Sequence, residues 1–437
     1  MNTRQFQLIP TYFFTVVFVG LIIQTLGVSA QPHIYPAPPQ QRKIVLIHGT
    51  IHVGNGKVIP DGMIAFDRGK ILAVGETVDT SGAELVDVSG MQVYPGLIAP
   101  ATNLGLVEVE AVRATRDVDE VGQIIPSVHS IVAYNADSKV IPTLRSNGIL
   151  LAHIVPEGGL IGPTSSVVQL DAWNWEDAAY SKDIGIQLYL PRLYPSTPEA
   201  ESRALQQVNT IRQFFQQASA YYHEPIHRRR NLGFEAVKGL FDRSKILFVH
   251  ADLEKEIWLA LDLARTFHFR MVIVGGADSW RVADELKKNE VAVILRPPHS
   301  LPLTPDDPVD LPYRTAALLQ QAGVKFCIGE DGFWQQRNLP FEAGTAAAYG
   351  LTREQALEAV TLRAAEILGI DSLTGSLEPG KDANIVVSRG DILDMRTSKV
   401  EMAFIQGRKI NLDNKQKDLL RRYVYKYGLD MDTTQIY

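Results

Sequence analysis

The sequence predicts an α/β fold in which a body of parallel βα units is framed by short β segments from both ends of the chain. Three observations carry this. From about Leu97 to Leu368, short apolar runs alternate with stretches of helical periodicity, and parallel strands need crossover connections of that kind. Ahead of that body, runs of strand length are separated by glycine turns. Behind it, strand composition returns in Ala383 to Val387 and Met402 to Gln406. With 437 residues, 46% of them hydrophobic, the chain can bury a large core beside a smaller one.

The elements follow in order. Arg4 gives a basic start, Thr11 to Val28 are uncharged and mostly apolar, and Val28-Ser29-Ala30 places small residues before a cut ahead of Gln31. A cleaved export signal over residues 1–30 is therefore expected, with a periplasmic or extracellular destination. An uncleaved membrane anchor is the alternative, because about 18 apolar residues approach the length of a spanning helix. Residues 31–42 read as a proline-rich linker. Lys43 to Ile47, Met63 to Asp67, Lys70 to Val74 and Glu84 to Val88 read as strands, with Asn55-Gly56, Asp61-Gly62 and Arg68-Gly69 as turns.

In the body, Lys245 to Val249 leads to a helix over Leu253 to Thr266, and Met271 to Val274 to one over Ser279 to Lys288. Val291 to Leu295 follows, and a last unit joins Val324 to Ile328 with a helix around Arg353 to Leu368. The run from Gly158 to Ser166 lacks the lysine and spacing of a phosphate loop and reads as a tight βα loop.

Composition narrows the function classes. A net charge of −6 and a pI near 6.0 give no electrostatic case for nucleic acid or an anionic membrane surface. The charged run Glu108 to Glu120 reads as a solvated face. The single Cys327 excludes an intrachain disulfide framework and a cysteine zinc site, and its apolar surroundings make it a buried structural thiol. A small-molecule ligand is the default partner.

The segment Val93-Tyr94-Pro95-Gly96-Leu97-Ile98-Ala99-Pro100-Ala101-Thr102-Asn103-Leu104 resembles V-x-P-G-L-I-D-x-H-x-H-L, the first barrel strand of the amidohydrolase superfamily. Gly375 to Val387 is similar to that family's G-S-L-x-x-G-K-x-A-D-x-V-V, with Asn384 in place of its aspartate, and Gly350 to Leu357 matches its last-helix wording. The likeness covers nearly all of Lys43 to Leu412 and is weakest between Asp171 and Arg243. It implies a (β/α)8 TIM barrel over residues 96–375, with a small β-sandwich built from residues 43–95 and 376–415 and a tail over 416–437, as in members similar to imidazolonepropionase and dihydroorotase. It also implies hydrolysis of C–N bonds with a divalent metal, zinc, at the barrel mouth.

The ligand set implied by the resemblance is incomplete. Ala101 and Asn103 stand where the first strand gives two histidines, and Gly275 where the sixth gives one. His250 on the fifth strand and Asp331 after the eighth are intact, Asp331 being the metal ligand that also acts as catalytic base. A catalytic zinc normally takes three protein donors and a water, so the two intact positions fall short of holding one. His153, in the strand Ile149 to Val155, and His299, between prolines in the loop after Val291 to Leu295, stand as candidate substrate-binding residues. A hydrogen-bonded core role for His153 and a loop-shaping role for His299 are the alternatives.

Two readings follow. One is an exported hydrolase of a small amide or cyclic amide, working with a weak or atypical site. The other is a non-catalytic barrel that binds a small ligand or partners an active paralogue, and the incomplete ligand set favours it. Self-association is the other expected partnership, and nucleic acid is not expected.

Overall fold

Two hydrogen-bonded sheets of eight strands each organise the computed structural model, which describes residues 36–194 and 196–429. The export segment expected over residues 1–30 lies outside the described residues. No helix among those described is long and apolar enough to cross a membrane.

The first sheet begins with β1 (Ile44–His52), β2 (Val58–Asp67), β3 (Lys70–Gly75), β4 (Glu84–Asp87) and β5 (Gln92–Pro95). Arg68 and Gly69 both have positive φ (48° and 80°), the geometry of a two-residue hairpin turn that matches strand twist. Asp61-Gly62, expected as a turn, instead lies within β2, where Gly62 pairs with Gly49 across a bulge and Asp61 takes φ 50°. The bulge absorbs the turn chemistry without ending the strand. Residues 36–42 are not a loose linker: Ala37 N–H donates to Asp171 Oδ2 (2.8 Å), and the Gln40 amide bridges Phe66 O (3.0 Å) and Gly69 N–H (3.0 Å).

The barrel sheet runs β6 (Leu97–Thr102), β7 (Ile149–Ile154), β8 (Ile161–Gln169), β9 (Ala179–Tyr189), β10 (Ile246–Ala251), β11 (Met271–Gly275), β12 (Ala292–Leu295) and β13 (Phe326–Ile328), each beside the next. Helices α1 (Ile141–Arg145) and α2 (Trp175–Ala178) are short. α3 (Pro198–His223) and α4 (Leu232–Phe241) join β9 to β10, and α5 (Glu254–Phe267) joins β10 to β11. α6 (Ala283–Lys288), α7 (Leu311–Ala322), α8 (Leu339–Ala348), α9 (Arg353–Glu358) and α10 (Leu362–Leu368) complete the body. Thr361, at φ −133° and ψ −93°, splits the single helix expected over Arg353 to Leu368 in two.

The expected βα alternation fails in the first half, where β7, β8 and β9 form an antiparallel meander. Gly158 and Gly159 make its first turn with positive φ, and the rest of that glycine-rich run is β8. A strand reading Pro163-Thr164-Ser165-Ser166 looks like a loop in sequence. It stays buried because its hydroxyls are hydrogen-bonded inside the protein, Thr164 to Asp183 and Ser166 Oγ to Asp183 N–H.

The seam between β13 and β6 is bridged by Ala359-Val360, whose carbonyls accept from Ile328 N–H (3.0 Å) and Ile98 N–H (2.9 Å). Ile98, Leu151, Val167, Ile246, Phe248, Val272 and Cys327 fill the barrel, with Ala364, Ile367 and Leu368 of α10 against them. The chain then returns as β14 (Ile385–Ser388), β15 (Val400–Ile405) and β16 (Arg408–Lys409), and β14 pairs antiparallel with β5 to unite both chain ends in the first sheet. Phe66 and Phe404 meet edge to face in its core, centroids 5.1 Å apart. The closing helix α11 (Lys415–Tyr427) buries no residue.

Candidate functional site

Side chains along a strand alternate between its faces, so Ile246 and Phe248, which pack in the barrel interior, put His250 at the mouth on the same face of β10. Beneath it the interior turns polar. His153 Nδ1 donates to Pro100 O (2.7 Å), because a carbonyl can only accept. Its Nε2 is then the acceptor for Ser165 Oγ–H (2.8 Å), Ser165 Oγ accepts from Gln187 Nε2 (2.7 Å), and Gln187 Oε1 accepts from His250 Nε2–H (2.9 Å). One set of proton positions satisfies the whole relay with both imidazoles neutral. Burial favours that state: it pulls His153 down to about 4 and His250 down to about 3, the latter helped by the neighbouring His153. The His250 ring stacks on Tyr189, centroids 4.0 Å apart.

Above the relay opens a cavity of about 390 Å³ whose polar lining includes Arg192, His250, Asp252, Arg296 and Asp331. Arg296 follows β12 at its carboxyl end. Its Nη1 donates to Asp252 Oδ2 (3.1 Å) and its Nη2 lies 3.8 Å from Asp331 Oδ2. Burial raises the Asp252 carboxyl and Arg296 opposes that rise. Asp331 is 70% exposed at its side chain. Glu330 also lines the cavity, where burial and the charge of Glu342 push it up to about 8, and burial pushes Glu342 up to about 7. Glu342 also accepts the backbone N–H of His299 (2.8 Å).

The expected site residues separate. Ala101 lines the cavity, whereas Asn103 is turned to Glu157 Oε1 (2.8 Å). The residue paired with His250 across the sheet is Val274, so the sixth-strand position belongs to Val274 and not to Gly275, which lies one residue further with φ 108°. Neither side chain binds a cation. His153 is fully buried with both ring nitrogens engaged, so it makes no substrate contact at the mouth. His299 lines a different cavity of about 510 Å³, with Thr345, Tyr349 and Arg353. Asp252 faces Arg296, and Leu253 takes the capping position of α5.

These residues do not fit a metal centre. His250 has committed Nε2 to Gln187, Asp331 faces a guanidinium, and among the described residues no three His, Cys, Asp or Glu side chains gather to hold an ion. Arg192 and Arg296 escaped sequence reasoning. The available signal was position: Arg296 directly follows a barrel strand at the end where such folds carry their chemistry.

A sequence profile described as the amidohydrolase family matches residues 270–410. The amidohydrolase tasK of Hapsidospora irregularis is 40% identical over 111 residues, which cover 23% of this chain and 11% of that protein. The solved amidohydrolase of Thermotoga maritima MSB8 superposes with a TM-score of 0.75 at 24% identity, covering 84% of this chain and 99% of its own. An adenosine deaminase from Xanthomonas campestris with bound zinc superposes at 0.51 with 17% identity, covering 90% and 99%. At these identities the structural likeness speaks for the fold.

Proposed function

This chain belongs to the amidohydrolase superfamily, and from that premise we propose that it is an exported member that has lost metal-assisted hydrolysis and binds a small molecule at its barrel mouth. The family is one of generally metal-dependent hydrolases. The observation that carries the proposal is Arg296, whose guanidinium lies between Asp252 and Asp331 in the mouth cavity. A guanidinium stays charged at any physiological pH, so it takes up the charge of Asp252, to which it is hydrogen-bonded, and offsets part of that of Asp331, leaving too little negative charge for a divalent metal. The losses at Ala101 and Val274 support the same reading, since each leaves a methyl or isopropyl group where a donor is needed.

The test is elemental analysis of protein purified in the presence of zinc and manganese, paired with assays on N-acyl amino acids, dipeptides and cyclic amides. No stoichiometric metal and no turnover are expected. One metal per chain, lost together with activity in His250→Ala, would overturn the proposal. Export is checked by fractionating cells that express the full chain, with a mature N-terminus at Gln31 expected.

A further inference from the structure

Most charged groups around the mouth cavity already have partners. Asp252 is bound to Arg296, and Glu256 accepts the N–H groups of Asp252 (3.2 Å), Leu253 (3.1 Å) and Leu193 (3.3 Å). Glu330 is buried, with its Oε1 on the Asp331 N–H (2.8 Å). Two charges are left. Arg192, in the segment after β9, lines the cavity, is exposed, and has no hydrogen bond or ion pair among the described residues. Asp331 is largely exposed and lies 3.8 Å from Arg296, beyond hydrogen-bond distance.

One accessible cation and one accessible anion therefore share a cavity whose lining also includes the apolar side chains of Val274, Ile294 and Leu303. We infer that the barrel mouth binds a small zwitterion of amino-acid size, its carboxylate on Arg192, its ammonium on Asp331 and its apolar body against those apolar side chains. His250 adds to the ammonium side: with Nε2–H given to Gln187, its Nδ1 is left as an acceptor. A lone anion would meet the Asp331 carboxylate and a lone cation would meet two guanidinia, so a ligand carrying both charges is favoured over either half. The inference rests on the metal-free reading of the mouth.

The experiment is calorimetric titration of the full chain with L-leucine, N-acetyl-L-leucine, which keeps only the negative charge, and L-leucinamide, which keeps only the positive one. L-leucine is expected to bind at least about tenfold more tightly than either blocked form, the loss attached to one charge-assisted hydrogen bond. Arg192→Gln should erase its advantage over L-leucinamide, and Asp331→Asn its advantage over N-acetyl-L-leucine. Both side chains are exposed, so both variants should fold, which circular dichroism checks. Equal binding of a blocked form, no L-leucine binding at millimolar concentration, or an unchanged ranking in either variant overturns the inference. Metal content of the same samples separates the two failures. A stoichiometric metal overturns the metal-free reading beneath it, whereas metal-free protein without the preference overturns the zwitterion alone.

Discussion

The carboxylate of Asp252 fills the space that a side chain on Gly275 would need: a β-carbon built on Gly275 would stand 2.6 Å from Asp252 Oδ1 and 3.1 Å from its Cγ. Gly275 also holds φ at 108°, a conformation L side chains rarely adopt. The glycine that closes β11 thus does more than end the strand. It makes the room in which Asp252 turns toward Arg296, and through that pair it helps to hold a guanidinium in the barrel mouth.

Gly275→Ala should therefore destabilise the protein by about 1–3 kcal/mol, from backbone strain and the collision with Asp252 together. Urea unfolding of variant and parent measures it, with an unchanged denaturant slope expected. A variant as stable as the parent would show that Asp252 does not occupy this space.

The Asp252 and Arg296 side chains are each 31% exposed, so their attraction is partly screened by solvent. A double-mutant cycle with Asp252→Asn and Arg296→Gln is expected to return a coupling of about 1 kcal/mol. Additive single effects would remove the pair from the account of the mouth.

The barrel half that alternates regularly, from β10 to β13, was legible because each buried parallel strand is a short apolar run followed by helical periodicity. The antiparallel meander was not. β8 carries Thr164, Ser165 and Ser166 into the interior, and only tertiary partners on β7 and β9 make those hydroxyls tolerable there. The candidate site divides the same way. His250 sits at the mouth as its strand-end position implies, but the cation between the carboxylates is an arginine at the end of β12, two strands further on, and no spacing rule links Arg296 to Asp252 across 44 residues. The one-residue displacement of the sixth-strand position, from Gly275 to Val274, is a question of sheet register that hydrogen bonds settle and sequence does not.

Chelation offers a direct check on the mouth. A metal bound only by the folded chain stabilises it by RT ln(1 + [M]/Kd), about 2.7 kcal/mol at a hundredfold excess over Kd. With no three-donor group among the described residues, the melting temperature should be the same in EDTA and in excess zinc. A zinc-dependent rise that disappears in His250→Ala would place a metal on that imidazole after all.

The neutral relay beneath the mouth makes stability depend on acid. In the unfolded chain His153 takes up its proton near its ordinary 6.5, whereas burial lets the folded protein accept it only at about 4. Between those values the unfolded state binds more protons, so His153 makes stability fall as pH drops from 6.5 to 4, by on the order of 3 kcal/mol in all. His250, pulled down to about 3, acts in the same direction. Glu330 and Glu342 act oppositely, because their raised values make the folded state bind more protons above about 4.5 and so lower stability as pH rises toward 8. The parent profile therefore mixes the two. His153→Gln isolates one: its amide can still donate to Pro100 O and accept from Ser165, but it cannot titrate. Urea unfolding at pH 6.5, 5.5 and 4.5 should show the variant losing less stability than the parent on acidification. Parallel losses would mean that the folded protein protonates His153 as readily as water does, and that the relay is not held neutral.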